Sequence, residues 1–339
     1  MNLQRKHLFE KIKEEKLHKE GQLRIKKIKS GQKEEILNLE PLTLSNMQNS
    51  VMELILHRRL LHENIYRQKQ IKLDSRRLIA ELNYDSSEYL MNLDSLIPGG
   101  YLQMNHLKFI MYQLFSVVNY LHFNGLVARN ICPENIMLSK SVNLMLDDFS
   151  GMRLESVCNR NSREHKLNIN YAAPELSLNL NKNFFASDIW SLGCILFELA
   201  EKRPLFRVNH SMDLLRCIFQ CLGTPKEEYE LEFISSKGTK KWIQEQKFST
   251  KKTVSTWMSH NASNLHLKDL LDKCVKLNPL QRITAAEALE HPFFSELYDP
   301  EEENQFLQNH LSFSDFSEIF SKKANKQSLK SILFYEFRK

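Results

Sequence analysis

The sequence predicts an α+β protein with a small, strand-rich N-terminal part and a larger, mainly helical C-terminal part. Between residues 105 and 125, apolar residues recur at the three- and four-residue spacing of a helix with one buried face. From Ser187, a suitable N-cap, the segment "SDIWSLGCILFELAEKR" predicts a strongly apolar helix at the centre of a domain. The first hundred residues instead favour a few strands and one helix at about 48–61.

Weaker periodic patterns complete the assignment of elements. Further helices are predicted at 211–222, 265–276 and 284–290, and His291-Pro292 ends the last of them. The stretch 126–185 is rich in loops and contains short runs such as "NLMLDDF" that are typical of β-strands.

Composition indicates a soluble globular protein, since 42% of the residues are hydrophobic and 26% are charged. The six cysteines show neither a CxxC pair nor a histidine spacing typical of zinc sites, which disfavours a zinc centre and a secreted disulfide framework. No apolar run is long enough for a signal peptide or a membrane span. We therefore expect a cytoplasmic or nuclear protein with no membrane attachment.

The basic character of the chain is local. Residues 1–29 hold ten Lys and Arg against four Asp and Glu, a surplus that equals the formal net charge of +6 of the whole chain. Such a segment could attract nucleic acid. However, its lysines and glutamates are interleaved at helical spacing and lack aromatic partners, which favours a solvated helix or strand edge.

Four short motifs occur in an order that resembles the C-terminal lobe of eukaryotic protein kinases. "ARNICPEN" resembles the catalytic loop, "DDFS" the D-F-G metal motif, "YAAPEL" the A-P-E motif and "SDIWSLGCILFEL" the D-x-W-S-x-G helix. "NPLQRITAAEALEHPFF" follows them, and four ordered motifs are unlikely to arise by chance. The resemblance implies a two-lobed protein kinase fold.

Later segments resemble mitogen-activated protein kinases, which are related to cyclin-dependent kinases. "RPLF", "LGTPKEE" and "EFISSKGTKKWIQ" are similar to the insert of these two families, and "ELYDPEEE" with "SLKSILFYEF" is similar to the mitogen-activated-kinase C-terminal extension. The resemblance implies a reduced N-lobe at 1–85, a C-lobe at 86–294 and the extension at 295–339.

Two charged residues expected in the catalytic loop are replaced. Asn130 stands where the family has the catalytic aspartate, and its neutral amide cannot accept a proton at physiological pH. Cys132 stands where the family has a lysine, so a cation near the transferring phosphate is lost. A nucleophilic role for Cys132 needs a neighbouring base, and because Ala128 replaces the motif histidine we favour an inert thiol.

The resemblance also implies residues for Mg-ATP. Asn135 and Asp148 match the metal ligands, Lys26 in "LRIKKIK" matches the phosphate-binding lysine, and Glu53 matches its helix partner. A surface lysine and a surface glutamate are the alternative for the last two. Only Gly21 precedes Lys26, so the glycine-rich phosphate loop is expected to be missing and binding of ATP and Mg to be weak. An exon lost from the gene model would give the same pattern.

Several framework residues of the family are retained. Arg129 matches the catalytic-loop arginine, Glu175 and Arg282 match an ion pair that ties the activation segment to the C-lobe, and Asp188 matches the residue that braces the catalytic loop. By contrast, the phosphorylated T-x-Y triplet is replaced at positions 163–165 by Arg-Glu-His. Activation by phosphate charge is therefore not expected.

The segment "YDPEEE" resembles the acidic docking groove through which mitogen-activated kinases bind basic peptides of partner proteins. Asp299, Glu302 and Glu303 are its candidate residues, and an ordinary solvated acidic turn is the alternative. Together these features predict a pseudokinase that serves as a binding or scaffolding module in signalling, with little or no phosphoryl transfer. The alternative is an active or impaired Ser/Thr protein kinase that uses Mg-ATP.

Overall fold

The structure of the protein, a computed structural model, describes residues 16–19, 22–29, 32–39, 42–65, 68–74, 79–85, 89–100, 102–146, 149, 151–157, 168–178, 180, 184–225, 227–246, 252–259, 264–308, 311, 316–321 and 323–338. The chain forms two compact units. The N-terminal unit comprises residues 1–90 and 311–339, and the C-terminal unit comprises residues 91–310. The C-terminal extension expected at 295–339 is therefore divided between the two units.

The helices follow one another along the described chain as α1 (Leu44–Arg59), α2 (Leu93–Leu96), α3 (Met104–Phe123), α4 (Pro174–Ser177), α5 (Phe184–Glu201), α6 (Ser211–Leu222), α7 (Lys237–Gln244), α8 (Leu265–Cys274), α9 (Ala285–Leu289), α10 (Pro300–Leu307), α11 (Phe316–Ile319) and α12 (Lys326–Arg338). The strands are β1 (Lys16–Lys19), β2 (Gln22–Lys29), β3 (Gln32–Asn38), β4 (Gln68–Asp74), β5 (Ile79–Asp85), β6 (Tyr89–Asn92), β7 (Leu126–Val127), β8 (Ile136–Ser139), β9 (Leu144–Leu146) and β10 (Arg153–Leu154). The predicted α+β class is confirmed.

The N-terminal unit contains a five-stranded antiparallel sheet with the strand order β1-β2-β3-β5-β4. Only two residues lie between β1 and β2, where Lys19 is opposite Gln22, and only two lie between β2 and β3. Both connections have the length of a tight β-hairpin.

Helix α1 follows β3, and the C-terminal helices α11 and α12 of the same unit pack on it. Its N-cap is Thr43, whose hydroxyl accepts a hydrogen bond from the backbone N–H of Asn46 at 3.3 Å. Side chains are buried from Asn49 to His57, so nearly every face of α1 is covered. The helix predicted at about 48–61 is therefore confirmed, with an earlier start.

The C-terminal unit is built around α5, which is buried along almost its whole length and packs against α3 and α8. Gly193 permits the contact with the end of α8, because a Cβ there would lie 2.5 Å from Val275 Cγ2 and 2.9 Å from Cys274 Cβ. The expectation that α5 starts at a Ser187 N-cap is wrong. The helix begins at Phe184, and the Ser187 hydroxyl donates to the Phe184 carbonyl at 2.6 Å, within its first turn.

The remaining helices of the C-terminal unit form its outer layers. Helices α6, α8 and α9 lie close to the bounds predicted for them, and Thr284 and Glu287 form a capping box at the start of α9. Strands β7 and β10 pair with each other, as do β8 and β9, and these short pairs flank the loop that carries the candidate site. Within the described part of the chain, no helix is long and apolar enough to cross a membrane.

Candidate functional site

The candidate loop, residues 128–135, leaves β7 and ends in a short 3-10 turn, Pro133–Asn135, before β8. Asp188 of α5, 1% exposed, anchors its start. The Asp188 carboxylate accepts hydrogen bonds from the backbone N–H groups of Ala128 and Arg129, both at 2.8 Å, and lies 3.0 Å from His122 Nε2. Two charge-assisted bonds to adjacent amides fix the path of the loop.

Arg129 is the point of greatest backbone strain in this loop, because its φ of 66° is rare for a residue with a side chain. The bonds from Asp188 to this peptide offset that cost. Among the residues that the structure describes, no hydrogen-bond partner reaches the buried Nε and Nη1 atoms of Arg129.

Asn130, at the position of the catalytic aspartate, is engaged in contacts within the protein. Its Oδ1 accepts from the backbone N–H of Asn168 at 3.2 Å, and its carbonyl accepts from Asn135 Nδ2 at 3.0 Å. A Cβ on Gly151 would lie 3.3 Å from the Asn130 Cβ, so the surroundings are tight. The amide thus joins the loop to the segment that precedes α4 and offers no proton acceptor.

Cys132 is 1% exposed, and its Sγ lies 3.8 Å from Glu134 Oε2. The same Glu134 oxygen accepts from Asn168 Nδ2 at 2.9 Å. The position at which the family has a lysine therefore holds a buried thiol beside a carboxylate. A carboxylate repels phosphate oxygens, so the local charge is the reverse of what phosphoryl transfer requires.

A second acidic group, Glu198, lies close enough to Glu134 for the two carboxyl groups to interact electrostatically. Glu198 of α5 accepts a hydrogen bond from the Tyr171 hydroxyl at 2.5 Å. The pKa of the Glu198 carboxyl is raised above its usual value, chiefly by burial. The hydrogen bond from Tyr171 opposes this shift, and the negative charge of Glu134 adds to it. Sequence analysis missed Glu134, Asn168, Tyr171 and Glu198, although all of them lie in or near the motifs already noted.

One of the two residues implied as metal ligands lies in the described part of the chain. Asn135 donates its amide to Asn130, whereas Asp148 lies outside the described residues. In the described ranges, no group of three His, Cys, Asp or Glu side chains could hold a metal ion. The assignment of Asn135 and Asp148 as metal ligands therefore stays a prediction.

The pairing of Lys26 with Glu53 stays a prediction, and the structure shows which element holds each of the two residues. Lys26 lies in β2, opposite Glu35 of β3, and the strand immediately before α1 is β3, whose sequence is "QKEEILN". The only lysine of β3, Lys33, lies near its start. Glu53 lies in α1 and is 4% exposed. Lys26 and Glu53 therefore belong to the same unit, in β2 and α1.

A buried ion pair stabilises the segment that follows the candidate loop. Arg282 Nη1 and Nη2 donate to the two carboxylate oxygens of Glu175 at 2.6 and 2.8 Å, and both side chains are almost completely buried. Arg282 also donates to the Ala186 carbonyl at 2.7 Å and lies over the Trp190 ring at 4.9 Å from its centroid. The structure thus brings Glu175 and Arg282 together as a bidentate, fully desolvated pair.

The acidic segment divides into an outward and an inward part. Asp299 is the N-cap of α10 and accepts from the backbone N–H groups of Glu301 and Glu302, both of which are exposed. Glu303 is 5% exposed and accepts from the Tyr112 hydroxyl at 2.8 Å and the Ser116 hydroxyl at 3.0 Å. The prediction that Glu303 is a docking residue is therefore wrong, because its buried carboxylate fastens α10 to α3.

The chain resembles known proteins over most of its length. The family described as protein kinase domain matches residues 12–294. Mitogen-activated protein kinase 5 of Oryza sativa subsp. indica is 32% identical over 236 residues, which are 69% of this chain and 61% of that protein. Mitogen-activated protein kinase 4 of Oryza sativa subsp. japonica is 32% identical over 253 residues, 74% of this chain and 68% of that protein.

A third relative, mitogen-activated protein kinase 2 of Arabidopsis thaliana, is 29% identical over 253 residues, 74% of this chain. The chain spans 61% of the length of the first rice relative and 66% of the Arabidopsis relative. All three alignments extend over two thirds or more of the chain described above.

Proposed function

Because this chain belongs to the protein kinase domain family and is similar to mitogen-activated protein kinases within it, we propose that it is a pseudokinase that binds partner proteins in signalling. One observation carries the proposal. The two positions that act on the moving phosphate hold Asn130, engaged with Asn168, and Cys132, beside the Glu134 carboxylate.

The expected loss of catalysis follows from what each group supplies. General acid–base help contributes about 10²- to 10⁴-fold to a rate, and Asn130 supplies none of it. Loss of one preorganised charge stabiliser costs about 10²- to 10³-fold, and Glu134 adds repulsion where Cys132 has removed a cation. Effects within one catalytic unit do not simply multiply. Typical kinases turn over at about 1–100 s⁻¹, so we expect a rate at least 10³-fold or so lower.

The N-terminal unit supports the same conclusion. Only two residues separate β1 and β2, which is too short for a loop that wraps phosphates with several glycine amides. The strand before α1 lacks a lysine near its end. Nucleotide is therefore expected to bind weakly at most.

The framework around the loop supports a binding role. The Asp188 contacts and the Glu175–Arg282 pair keep the loop and the segment near α4 in place without any catalytic group. Buried polar networks of this kind hold a defined surface. A surface with a defined shape is what a scaffold needs.

For the docking surface we propose Asp299 and Glu302, which lie together in the first turn of α10, as the acceptors of a basic peptide. Charge reversal of Glu302 by Glu302→Lys should weaken binding of a Lys/Arg-rich docking peptide about two- to fivefold, as for exposed ion pairs, and raised salt should do the same. Glu232→Lys, on an exposed position away from α10, is the matched control. Fluorescence anisotropy with a labelled peptide measures both variants, and equal affinities would remove the docking proposal.

Nucleotide binding separates the pseudokinase from the alternative, an impaired Ser/Thr kinase. Ligands that bind only the folded state raise its thermal stability by mass action. With 1 mM Mg-ATP in excess, we expect the unfolding midpoint of this chain to change by less than about one degree. A rise of several degrees that ADP without magnesium does not reproduce would favour the kinase alternative.

A further inference from the structure

A cavity lies within the N-terminal unit between α1, α11 and α12. It has a volume of about 360 Å³, and its walls are formed by Ile55, Arg59, Glu318, Ile319, Ser331, Ile332, Tyr335 and Glu336. Pockets that take small organic molecules have volumes of about 300–1,000 Å³.

Helices α11 and α12, which line this cavity, are joined to α1 by contacts near the two ends of α1. At one end, Gln48 Nε2 donates to the Ile319 carbonyl at 2.6 Å. At the other end, Arg59 donates to both carboxylate oxygens of Glu336, at 2.8 and 2.5 Å, and Arg58 lies 5.3 Å from the centroid of the Phe337 ring. The helices that line the cavity are therefore joined by contacts between segments that are distant in sequence.

The lining combines buried apolar residues with exposed polar ones. Ile55 and Ile319 are 2% and 0% exposed, whereas Tyr335 is 62% exposed and Glu318 is also exposed. We call the exposed part of the lining its rim. Aromatic rings attract both aryl groups and cations.

The charges of the lining residues do not cancel. Arg59 and Glu336 neutralise each other in their bidentate pair. Glu318 is exposed, and its carboxylate makes no ion pair with any residue that the structure describes. A ligand that fits this lining has an apolar body for the isoleucines and a single positive charge for Glu318 and the Tyr335 ring.

We propose that this cavity binds a compact amphipathic organic cation, of the arylalkylammonium class. The site is independent of the catalytic-loop residues and of the pseudokinase proposal. Its occupant would bridge α1 and α12, and thereby stabilise the position of the helix that carries Glu53.

The test uses the full chain with ¹³C-labelled isoleucine δ1-methyl groups and three probes of one shape. 4-Phenylbutylamine is the cation, 4-phenylbutan-1-ol is neutral and 4-phenylbutanoate is the anion. NMR titration reads the Ile55, Ile319 and Ile332 methyl signals, assigned by single Ile→Val variants. We expect the amine to shift these signals and to bind about two- to fivefold more tightly than the alcohol, with the acid weakest.

Two variants sharpen the test. Glu318→Gln removes the rim charge from an exposed position and should reduce the affinity for the amine to that for the alcohol. Glu301→Gln removes an exposed charge from α10 and should change nothing. The proposal is overturned if the amine leaves the three methyl signals unmoved at 5 mM or so, if it shifts only distant signals, or if Glu318→Gln leaves the preference for the amine intact.

Discussion

The buried pair of Glu175 and Arg282 allows the sharpest prediction about the retained framework. Glu175→Gln keeps the size of the side chain but removes the negative charge, which leaves the Arg282 guanidinium desolvated with only carbonyl and amide acceptors. Removing one partner of a buried ion pair costs about 3–5 kcal/mol. The side chains of Arg282 and Glu175 are 0% and 1% exposed, so water cannot substitute for the lost carboxylate.

Urea denaturation followed by tryptophan fluorescence measures this cost. All three tryptophans, Trp190, Trp242 and Trp257, lie in the C-terminal unit, and Trp190 stacks on Arg282 itself. Fluorescence therefore reports the unit that contains the pair. A stability loss appears as a lower midpoint with an unchanged slope.

A surface pair provides the control. Lys241 and Glu245 lie 4.0 Å apart with side chains 81% and 61% exposed, so Glu245→Gln should cost less than about 0.5 kcal/mol. The double change Glu175→Leu with Arg282→Met removes both charges and should cost less than Glu175→Gln alone. If Glu175→Gln shifts the midpoint no further than Glu245→Gln, the proposed role of the pair in stability is refuted.

Three further predictions concern other parts of the framework. Burial lowers the pKa of His62 to about 3 from 6.5, so the unfolded chain takes up a proton first and stability falls as pH drops below 6.5, by about 1 kcal/mol from pH 6.5 to 5.5; His62→Gln should flatten this pH profile in thermal melts. Gly193→Ala should cost about 1–3 kcal/mol in the urea assay, because the new methyl would collide with Val275, and a loss below 0.5 kcal/mol would contradict the close packing of α5 and α8. Asp188→Asn should cost about 1.5–3 kcal/mol by weakening the bonds from Ala128 and Arg129, and faster amide exchange at residues 128–129 would accompany it; unchanged exchange would argue against the bracing role.

The long helices could be predicted from the sequence because their signals are local. The apolar spacing in α3, α6 and α8 repeats over several turns, and the capping box of α9 lies within four residues. The order of the four kinase-like motifs along the chain also indicated that they belong to its C-terminal part, and all four lie within residues 91–310.

Other features of the fold and of the site could not be predicted, because they lack a local pattern or depend on contacts between distant residues. The bounds of the N-terminal strands could not be predicted because segments such as "QKEEILN" of β3 are too charged to show apolar alternation. The burial of Glu303 depends on Tyr112 and Ser116 of a distant helix, and a run of charges gives no sign of it. Contacts between Asn130 and Asn168, 38 residues apart, are likewise a property of the folded chain.

Phosphoryl transfer is the most direct test of the central claim that the framework persists without the chemistry. The measurement is the rate at which the wild-type chain moves ³²P from Mg-[γ-³²P]ATP to a general protein substrate, with Asp148→Ala as the background and Asn130→Asp with Cys132→Lys as the comparison. We predict that wild type does not exceed the Asp148→Ala background by more than the assay error, while any gain appears only in the double variant. Turnover by wild type near 1 s⁻¹ that Asp148→Ala abolishes would contradict the account.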